Sequence, residues 1–225
     1  MRVTRFFPGF TRTVQGCLVL TVALAGTACS MSNKAKGTGV GVAAGAAAGG
    51  VIGNQTGSTA RGAIIGAVIG GAAGAIIGHQ MDQQAKELEV VIPGAVVQRV
   101  GEGLVVTFPS GLLYDFDSDA IRAEAGRNLR ELAVSLKKYA STDLLIVGHT
   151  DALGSTEYNQ SLSMRRASAA SRYLAMEGIN SNRLHTTGKG ELEAVSSNET
   201  EGGRQLNRRI EVAIYASEAM RTSAQ

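Results

Sequence analysis

Glycine recurs at every fourth position over residues 37–57 and again over residues 62–78. In an α-helix every fourth residue returns to nearly the same face, so each segment would carry a ridge of glycines along one side. A ridge of this kind lets a second helix approach closely. Because polar residues separate the two segments, the sequence predicts a glycine-zipper helical hairpin over residues 37–78.

The sequence pattern is compatible with two environments for this hairpin, a bilayer or a self-associated state in water. The two arms are 21 and 17 residues long, which at helical rise gives about 25 to 30 Å, close to the hydrocarbon thickness of a bilayer. Glycine costs about 1 kcal/mol per residue in a helix relative to alanine, so the arms need lipid or tight mutual packing. Insertion in a membrane and self-association as a homo-oligomer are both compatible with the pattern. A flexible spacer is disfavoured, because it has no reason to keep a four-residue register.

The first 28 residues have the features of a secretory signal. Arg2, Arg5 and Arg12 precede an apolar stretch that ends near Ala25, and small residues then lead to Cys29. This arrangement is similar to a bacterial lipoprotein box, in which the cysteine becomes the N-terminus and is acylated, palmitate included. We therefore expect lipidation of Cys29 and an anchor in the outer-membrane lipid, with ordinary cleavage after the small residues as the alternative.

Charge and composition exclude a nucleic-acid partner. The chain has 22 basic and 19 acidic residues, but three of the arginines leave with the signal, so the remaining chain is neutral. It has no tryptophan and only five tyrosines and five phenylalanines. Such a chain lacks both the basic surface and the stacking platforms that nucleic acid requires.

Residues 79–94 predict a short exposed connector helix, which Pro93 and Gly94 end. Residues 95–217 then contain strand and helix patterns in the order of a single α/β domain, followed by a tail at 218–225. About 125 residues are enough for one core. We expect helices packed on one face of a mixed sheet, with Ile210, Val212 and Ile214 on the core side of a final strand, and Glu211 and Ala213 on its polar side.

One acid and one base mark the candidate site. Asp151 lies in a polar turn after the apolar run from Leu144 to Val147, and Arg166 lies in the third turn of the helix that begins near Thr156. Both would face the same end of a strand and helix unit. The carboxylate could accept from an ammonium while the guanidinium binds a carboxylate through two parallel hydrogen bonds, which suits a zwitterionic ligand.

Three further strings carry a family resemblance. HTDALGSTEYNQSLSMRRA at 149–167, GKGE at 188–191 and GRQLNRRIEV at 203–212 resemble, in this order, the motifs of the OmpA-like peptidoglycan-binding domain. The resemblance implies the OmpA C-terminal-like βαβαβ fold over roughly residues 95–216. It also implies that the ligand is the diaminopimelate of the peptidoglycan stem peptide, with Asp151 on its ammonium and Arg166 on its carboxylate.

The resemblance implies further site residues. The positions that match residues lining or shaping the groove in that family are Phe116, Asp117, Gly154, Asn159 and Leu162. Asn207 and Arg209 match the terminal motif. Arg165 projects about 100° away from Arg166 on a helix, so only one of the two can face the groove.

The predicted function is that of a non-catalytic outer-membrane lipoprotein whose periplasmic domain tethers the membrane to the cell wall. An enzyme of wall remodelling is disfavoured, because no motif marks a nucleophile, and His149 and the aspartates at 115, 117 and 119 lack metal-site spacing. The sequence implies no cofactor and no metal. The alternative is an oligomeric membrane-associated assembly or stress protein that acts through its glycine zipper.

Overall fold

The computed structural model describes residues 57–68, 74–115 and 117–223, all of which fall within one compact unit, Thr38–Gln225. The predicted signal, Cys29 and most of the first glycine segment lie outside the described residues, as does Phe116. The predicted lipid anchor therefore stays a prediction.

Five strands form one mixed sheet. They are β1 (Val96–Val100), β2 (Gly103–Pro109), β3 (Thr142–Gly148), β4 (Leu184–Gly188) and β5 (Arg209–Ala216). Their order across the sheet is β1–β2–β5–β3–β4. Neighbouring strands run antiparallel except β3 and β4, which are parallel. The predicted mixed sheet is confirmed.

Helices connect and cover the strands. Those in the described residues are α1 (Thr59–Val68), α2 (Gly74–Val91), α3 (Ser110–Leu113), α4 (Ala125–Lys138), α5 (Thr156–Met176), α6 (Glu201–Asn207) and α7 (Glu218–Ser223), with a 3-10 turn at Ser181–Arg183. Helix α5 begins where the sequence predicts, because the Ser155 hydroxyl accepts a hydrogen bond from the amide of Tyr158 at 3.2 Å and so caps the first turn.

The main core lies on one face of the sheet. Strands β2, β3 and β5 contribute alternate residues to it: Leu104, Val106, Phe108, Leu144, Ile146, Ile210, Val212 and Ile214. Helices α4 and α5 pack over this face with Leu129, Leu132, Leu136, Ala167, Ala170 and Leu174. These are the helix and strand faces that the apolar spacing predicts.

Helix α1 covers the second face of the sheet. Its residues Ala60, Ala63, Ile64 and Ala67 pack against Val105, Leu145, Val147, Ala213 and Tyr215. The helix approaches closely at Gly103, where a Cβ atom would lie 2.6 Å from Cγ2 of Ile64. The sequence predicts a polar face at Glu211 and Ala213, but both residues are buried. That prediction was wrong because the covering helix comes from the glycine-rich segment, far away in the chain.

The predicted connector is part of the domain. Met81 and Leu88 of helix α2 and Ile92 just after it are buried in the main core, and the Gln84 amide donates to the Ser135 hydroxyl of α4 at 3.1 Å. The helix ends at Val91, just before Pro93 and Gly94, as predicted. Its predicted exposure was wrong, because the apolar residues share one face that packs on the sheet.

Helices α1 and α2 each contain part of the second glycine segment, and residues 69–73 between them lie outside the described residues. The described part of α1 packs on the second face of the sheet, and that of α2 packs on the main core. The first arm also lies mostly outside the described residues, so the hairpin stays a prediction. No helix in the part of the chain that the structure describes has both the length and the apolar character to cross a bilayer.

Candidate functional site

A small groove opens where β3 ends and the loop toward α5 begins. Its volume is about 90 Å³. The residues that line it are Asp117, Thr150, Asp151, Leu153, Tyr158, Asn159, Leu162, Arg166 and Arg208. The structure thus brings five of the predicted site residues together in one place: Asp117, Asp151, Asn159, Leu162 and Arg166.

Two glycines set the position of helix α5 on the sheet. A Cβ atom on Gly148 would lie 2.1 Å from the carbonyl oxygen of Ser163, and one on Gly188 would lie 2.5 Å from the amide nitrogen of Met164. The backbone of α5 therefore rests directly on the ends of β3 and β4. Arg166 follows within one turn of this contact, so the sheet fixes where its side chain enters the groove.

Arg166 is 4% exposed and is held from two sides. Its Nε donates to the carbonyl of Ser118 at 2.8 Å, and its guanidinium carbon lies 5.3 Å from the centre of the Tyr114 ring. Burial lowers the pKa of the guanidinium from its usual value. Neither terminal nitrogen donates a hydrogen bond to any residue that the structure describes. Arg166 therefore offers both of these nitrogens to an anion.

The neighbouring arginine lies outside the groove. Arg165 has a side chain 45% exposed, with its Nε 3.7 Å from Asp119, and it donates to the Ser161 hydroxyl at 2.8 Å. The difference follows from the helix, since Asn159, Leu162 and Arg166 share the buried face of α5 whereas Arg165 is rotated off it.

Asp151 is held by the protein through both of its carboxylate oxygens. The amide of Leu153 donates to Oδ1 at 3.1 Å, and Nη1 of Arg208 donates to Oδ2 at 2.6 Å. The loop is tied to the sheet by the amide of Thr150, which donates to the carbonyl of Gly190 at 2.8 Å. Since a carboxylate oxygen has two lone pairs, each oxygen can still accept a second hydrogen bond.

The walls between these two charges come from the start of α5. Asn159 is buried and donates to Glu191 at 2.6 Å, while Leu162 supplies an apolar surface. Gly154 has a φ of +98°, in the left-handed region. Glycine adopts this conformation without steric cost because it has no Cβ, so a glycine suits this position of the loop. Gly154 therefore shapes the loop in front of Asn159.

Asp117 closes the opposite side of the groove. Its carboxylate accepts a hydrogen bond from the Tyr158 hydroxyl, and this bond raises the pKa of Tyr158 from its usual value. Tyr158 was not among the predicted site residues. The four-residue steps from Tyr158 to Leu162 and to Arg166 are a helical spacing that could have identified it.

Asn207 and Arg209 do not lie in the groove, which corrects their predicted placement. The amide oxygen of Asn207 accepts from the backbone of Val195 and Ser196 at 2.8 and 2.9 Å, so this side chain holds a loop. Arg209 is 3% exposed and pairs with Glu211 at 2.7 Å beneath helix α1. Its alternation with Ile210 directs it to the second face of the sheet.

Arg208, rather than the predicted Arg209, lies in the groove. Its second terminal nitrogen donates to Glu201 at 2.6 Å. The alternation of side chains along a strand could have identified it. Arg208 is two residues before Ile210 and four before Val212, so it points to the same side of the sheet as these two residues, which face the core under α4 and α5. The groove opens on that side of the sheet.

A second polar cluster lies beneath helix α1. His149 is fully buried, with ring nitrogens 4.0 Å from Glu193 and 3.8 Å from Glu211 and no hydrogen bond to either. Burial lowers the pKa of His149 well below its usual value. The same carboxylates hold the start of α1, since the Ser58 hydroxyl donates to Glu211 at 3.2 Å and the Thr59 amide to Glu193 at 3.0 Å. His149 therefore has a structural position.

Comparisons with known proteins agree with this fold. The model of the OmpA family matches residues 113–208, and the model of the YMGG-like Gly-zipper matches residues 11–82. The peptidoglycan-associated lipoprotein of Brucella melitensis biotype 1 is 33% identical over 116 residues, which cover 52% of this chain and 69% of that protein. This chain belongs to the OmpA family.

Other relatives match the same part of the OmpA-family chain. Outer membrane protein A of Bordetella avium is 38% identical over 112 residues, which cover 50% of this chain and 58% of that protein. The chain thus spans little more than half the length of that relative. The structure of the cell wall anchor of the T6SS from Pseudomonas aeruginosa aligns with a TM-score of 0.54 and 25% identity, over 61% of this chain and 97% of its own length. The OmpA-like fold is confirmed.

Proposed function

We propose that this OmpA-family chain is a non-catalytic outer-membrane lipoprotein that binds the diaminopimelate of the peptidoglycan stem peptide and so tethers the membrane to the cell wall. The observation that carries the proposal is the presence of Asp151 and Arg166 in one groove. The far end of diaminopimelate bears an ammonium and a carboxylate on one carbon. The groove offers the carboxylate of Asp151 for the ammonium and the guanidinium of Arg166 for the carboxylate.

Each half of the ligand has a suitable partner. Arg166 has two terminal nitrogens without a protein acceptor among the described residues, which suits a bidentate bond to the ligand carboxylate. Asp151 is fixed by Leu153 and Arg208 and retains lone pairs for an ammonium. Leu162 provides an apolar surface for the methylene chain that joins the distal carbon to the stem peptide.

The other end of the tether would be Cys29. Acylation of this cysteine would attach the chain to the outer membrane, and more than one acyl chain would make the attachment stable. Labelling of cells with palmitate tests this step, with Cys29→Ser as the control. We expect label in the wild-type protein and none in the variant, and equal labelling of both would refute the anchor.

The groove is tested by sedimentation of residues 30–225 with diaminopimelate-containing sacculi. Asp151→Asn should weaken binding about 10-fold to 100-fold, because a charge-assisted hydrogen bond contributes roughly 1.5 to 3 kcal/mol. Asp82→Asn is the matched control, since Asp82 is an exposed carboxylate that pairs with Arg99 and lies outside the groove. Equal binding by Asp151→Asn and wild type would refute the site.

A tether should also leave the wall intact. After incubation of sacculi with the purified protein, we expect no release of soluble muropeptides. Release that depends on this protein would contradict the non-catalytic proposal and favour an enzyme of wall remodelling.

A further inference from the structure

Arg208 joins two carboxylates of very different exposure. Its Nη1 donates to Oδ2 of Asp151 and its Nη2 donates to Oε1 of Glu201, each at 2.6 Å. The Asp151 side chain is 10% exposed, whereas that of Glu201 is 64% exposed. One partner of Arg208 is therefore a groove residue, and the other is a surface residue of α6.

In the free protein, the two charged residues predicted to hold the ligand differ in whether they already have a partner. The terminal nitrogens of Arg166 have no acceptor in the described part of the chain, so the position for a carboxylate is open. Asp151 already has a cationic partner in Arg208. An incoming ammonium therefore meets an acceptor that a guanidinium of the same protein occupies.

We propose that Arg208 is a competing counter-ion for the ligand ammonium and so determines the affinity and selectivity of the groove. In the free chain it neutralises the nearly buried Asp151, which would otherwise be a costly unpaired charge. On binding, the ammonium takes over Oδ2 of Asp151 while Arg208 keeps its bond to Glu201. This inference rests on the proposed function, because it assumes that the ligand bears an ammonium.

The exchange has opposite consequences for two kinds of ligand. A ligand with a distal ammonium competes with Arg208 for the Asp151 carboxylate, so loss of Arg208 should strengthen its binding. A ligand with the same carboxylate and no ammonium leaves Arg208 on Asp151, so loss of Arg208 would expose it to an unneutralised negative charge and weaken binding. A residue that simply contacted the ligand carboxylate would weaken both when removed.

The test is an NMR titration of residues 30–225 with two stem tripeptides, one ending in meso-diaminopimelate and one ending in 2-aminopimelate, which lacks the distal ammonium. For Arg208→Gln, we expect about threefold to tenfold tighter binding of the first peptide, a change equivalent to roughly 0.7 to 1.4 kcal/mol. We expect weaker binding of the second peptide. Weaker binding of both peptides would overturn the proposal and make Arg208 a direct ligand contact.

Two further variants isolate the exchange. Glu201→Gln removes the exposed partner that retains Arg208 after displacement, so it should weaken binding of the diaminopimelate peptide about twofold to threefold, as expected for a surface ion pair. Arg204→Gln is the matched control, because Arg204 also pairs with Glu201, at 2.7 Å, but does not line the groove. It should bind as wild type.

The outcomes separate this inference from the proposed function. If the wild-type chain binds neither sacculi nor the diaminopimelate peptide, the proposed function fails and the inference fails with it. If the wild type binds and Asp151→Asn does not, while Arg208→Gln leaves both affinities unchanged, the tether stands and the competing role of Arg208 is refuted.

Discussion

Arg208 and Arg209 are adjacent in the chain but pair with carboxylates in two separate regions. Arg208 donates to Asp151 in the groove at 2.6 Å, and Arg209 donates to Glu211 beneath helix α1 at 2.7 Å. The alternation of side chains at the start of β5 separates them. One arginine therefore belongs to the candidate site and the other to the interior.

We expect Arg209→Gln to lower the free energy of unfolding by about 3 to 5 kcal/mol, because it leaves Glu211 buried without its cationic partner. Arg208 is partly exposed but its partner Asp151 is nearly buried, so Arg208→Gln should cost less, about 1 to 3 kcal/mol. Urea denaturation of the two variants checks the difference. A larger loss in Arg208→Gln would contradict the assignment of the two arginines.

Arg166→Lys should weaken binding to sacculi about tenfold or more, because an ammonium cannot reproduce the planar two-point contact of a guanidinium. Arg165→Lys is the control, since Arg165 is exposed on the same helix and outside the groove. Sedimentation of both variants measures the effect. Similar binding by the two variants would show that the fork of Arg166 is not used.

Ile64→Ala should destabilise the domain by about 2 to 4 kcal/mol, because the side chain is fully buried between α1 and the sheet. The adjacent Ile65 is 37% exposed, and Ile65→Ala should cost less than about 1 kcal/mol. Urea denaturation of residues 30–225 distinguishes them. Equal, small losses would show that α1 does not cover the second face of the sheet in solution.

Stability should fall as the pH decreases below about 6.5, where an unfolded histidine takes up a proton. In the folded chain burial keeps the pKa of His149 well below that value, so the unfolded state binds more protons in this range and is favoured by at most about 1.4 kcal/mol per pH unit. Arg209 and Lys189 further disfavour the protonated ring, while Glu193 and Glu211 flank its nitrogens.

Thermal unfolding at pH 7.5 and 5.5 tests this dependence. His149→Gln should lose less stability between the two pH values than wild type does. His79→Gln should retain the wild-type decrease, because His79 lies exposed on α2. An unchanged decrease in His149→Gln would assign the effect to other groups.

The elements of the domain were predictable because they depend on local pattern. Apolar runs around a glycine turn identified β1 and β2, and apolar alternation identified β5. Asn159, Leu162 and the choice of Arg166 over Arg165 came instead from the resemblance to the OmpA-like domain. The shared location of Asp151 and Arg166 followed from strand and helix geometry, since both lie at the end of β3. These inferences need only neighbours in sequence.

Other features depended on contacts between distant segments. The sequence alone determined a mixed α/β domain with an acid and a base at one end of the sheet, because period and spacing define elements and their faces. Only the tertiary structure decided that α1 covers Glu211, that α2 belongs to the core, and that Arg208 forms an ion pair with Asp151. Each of these results from a pairing of surfaces across long stretches of chain, and such pairing is set by packing and charge in three dimensions.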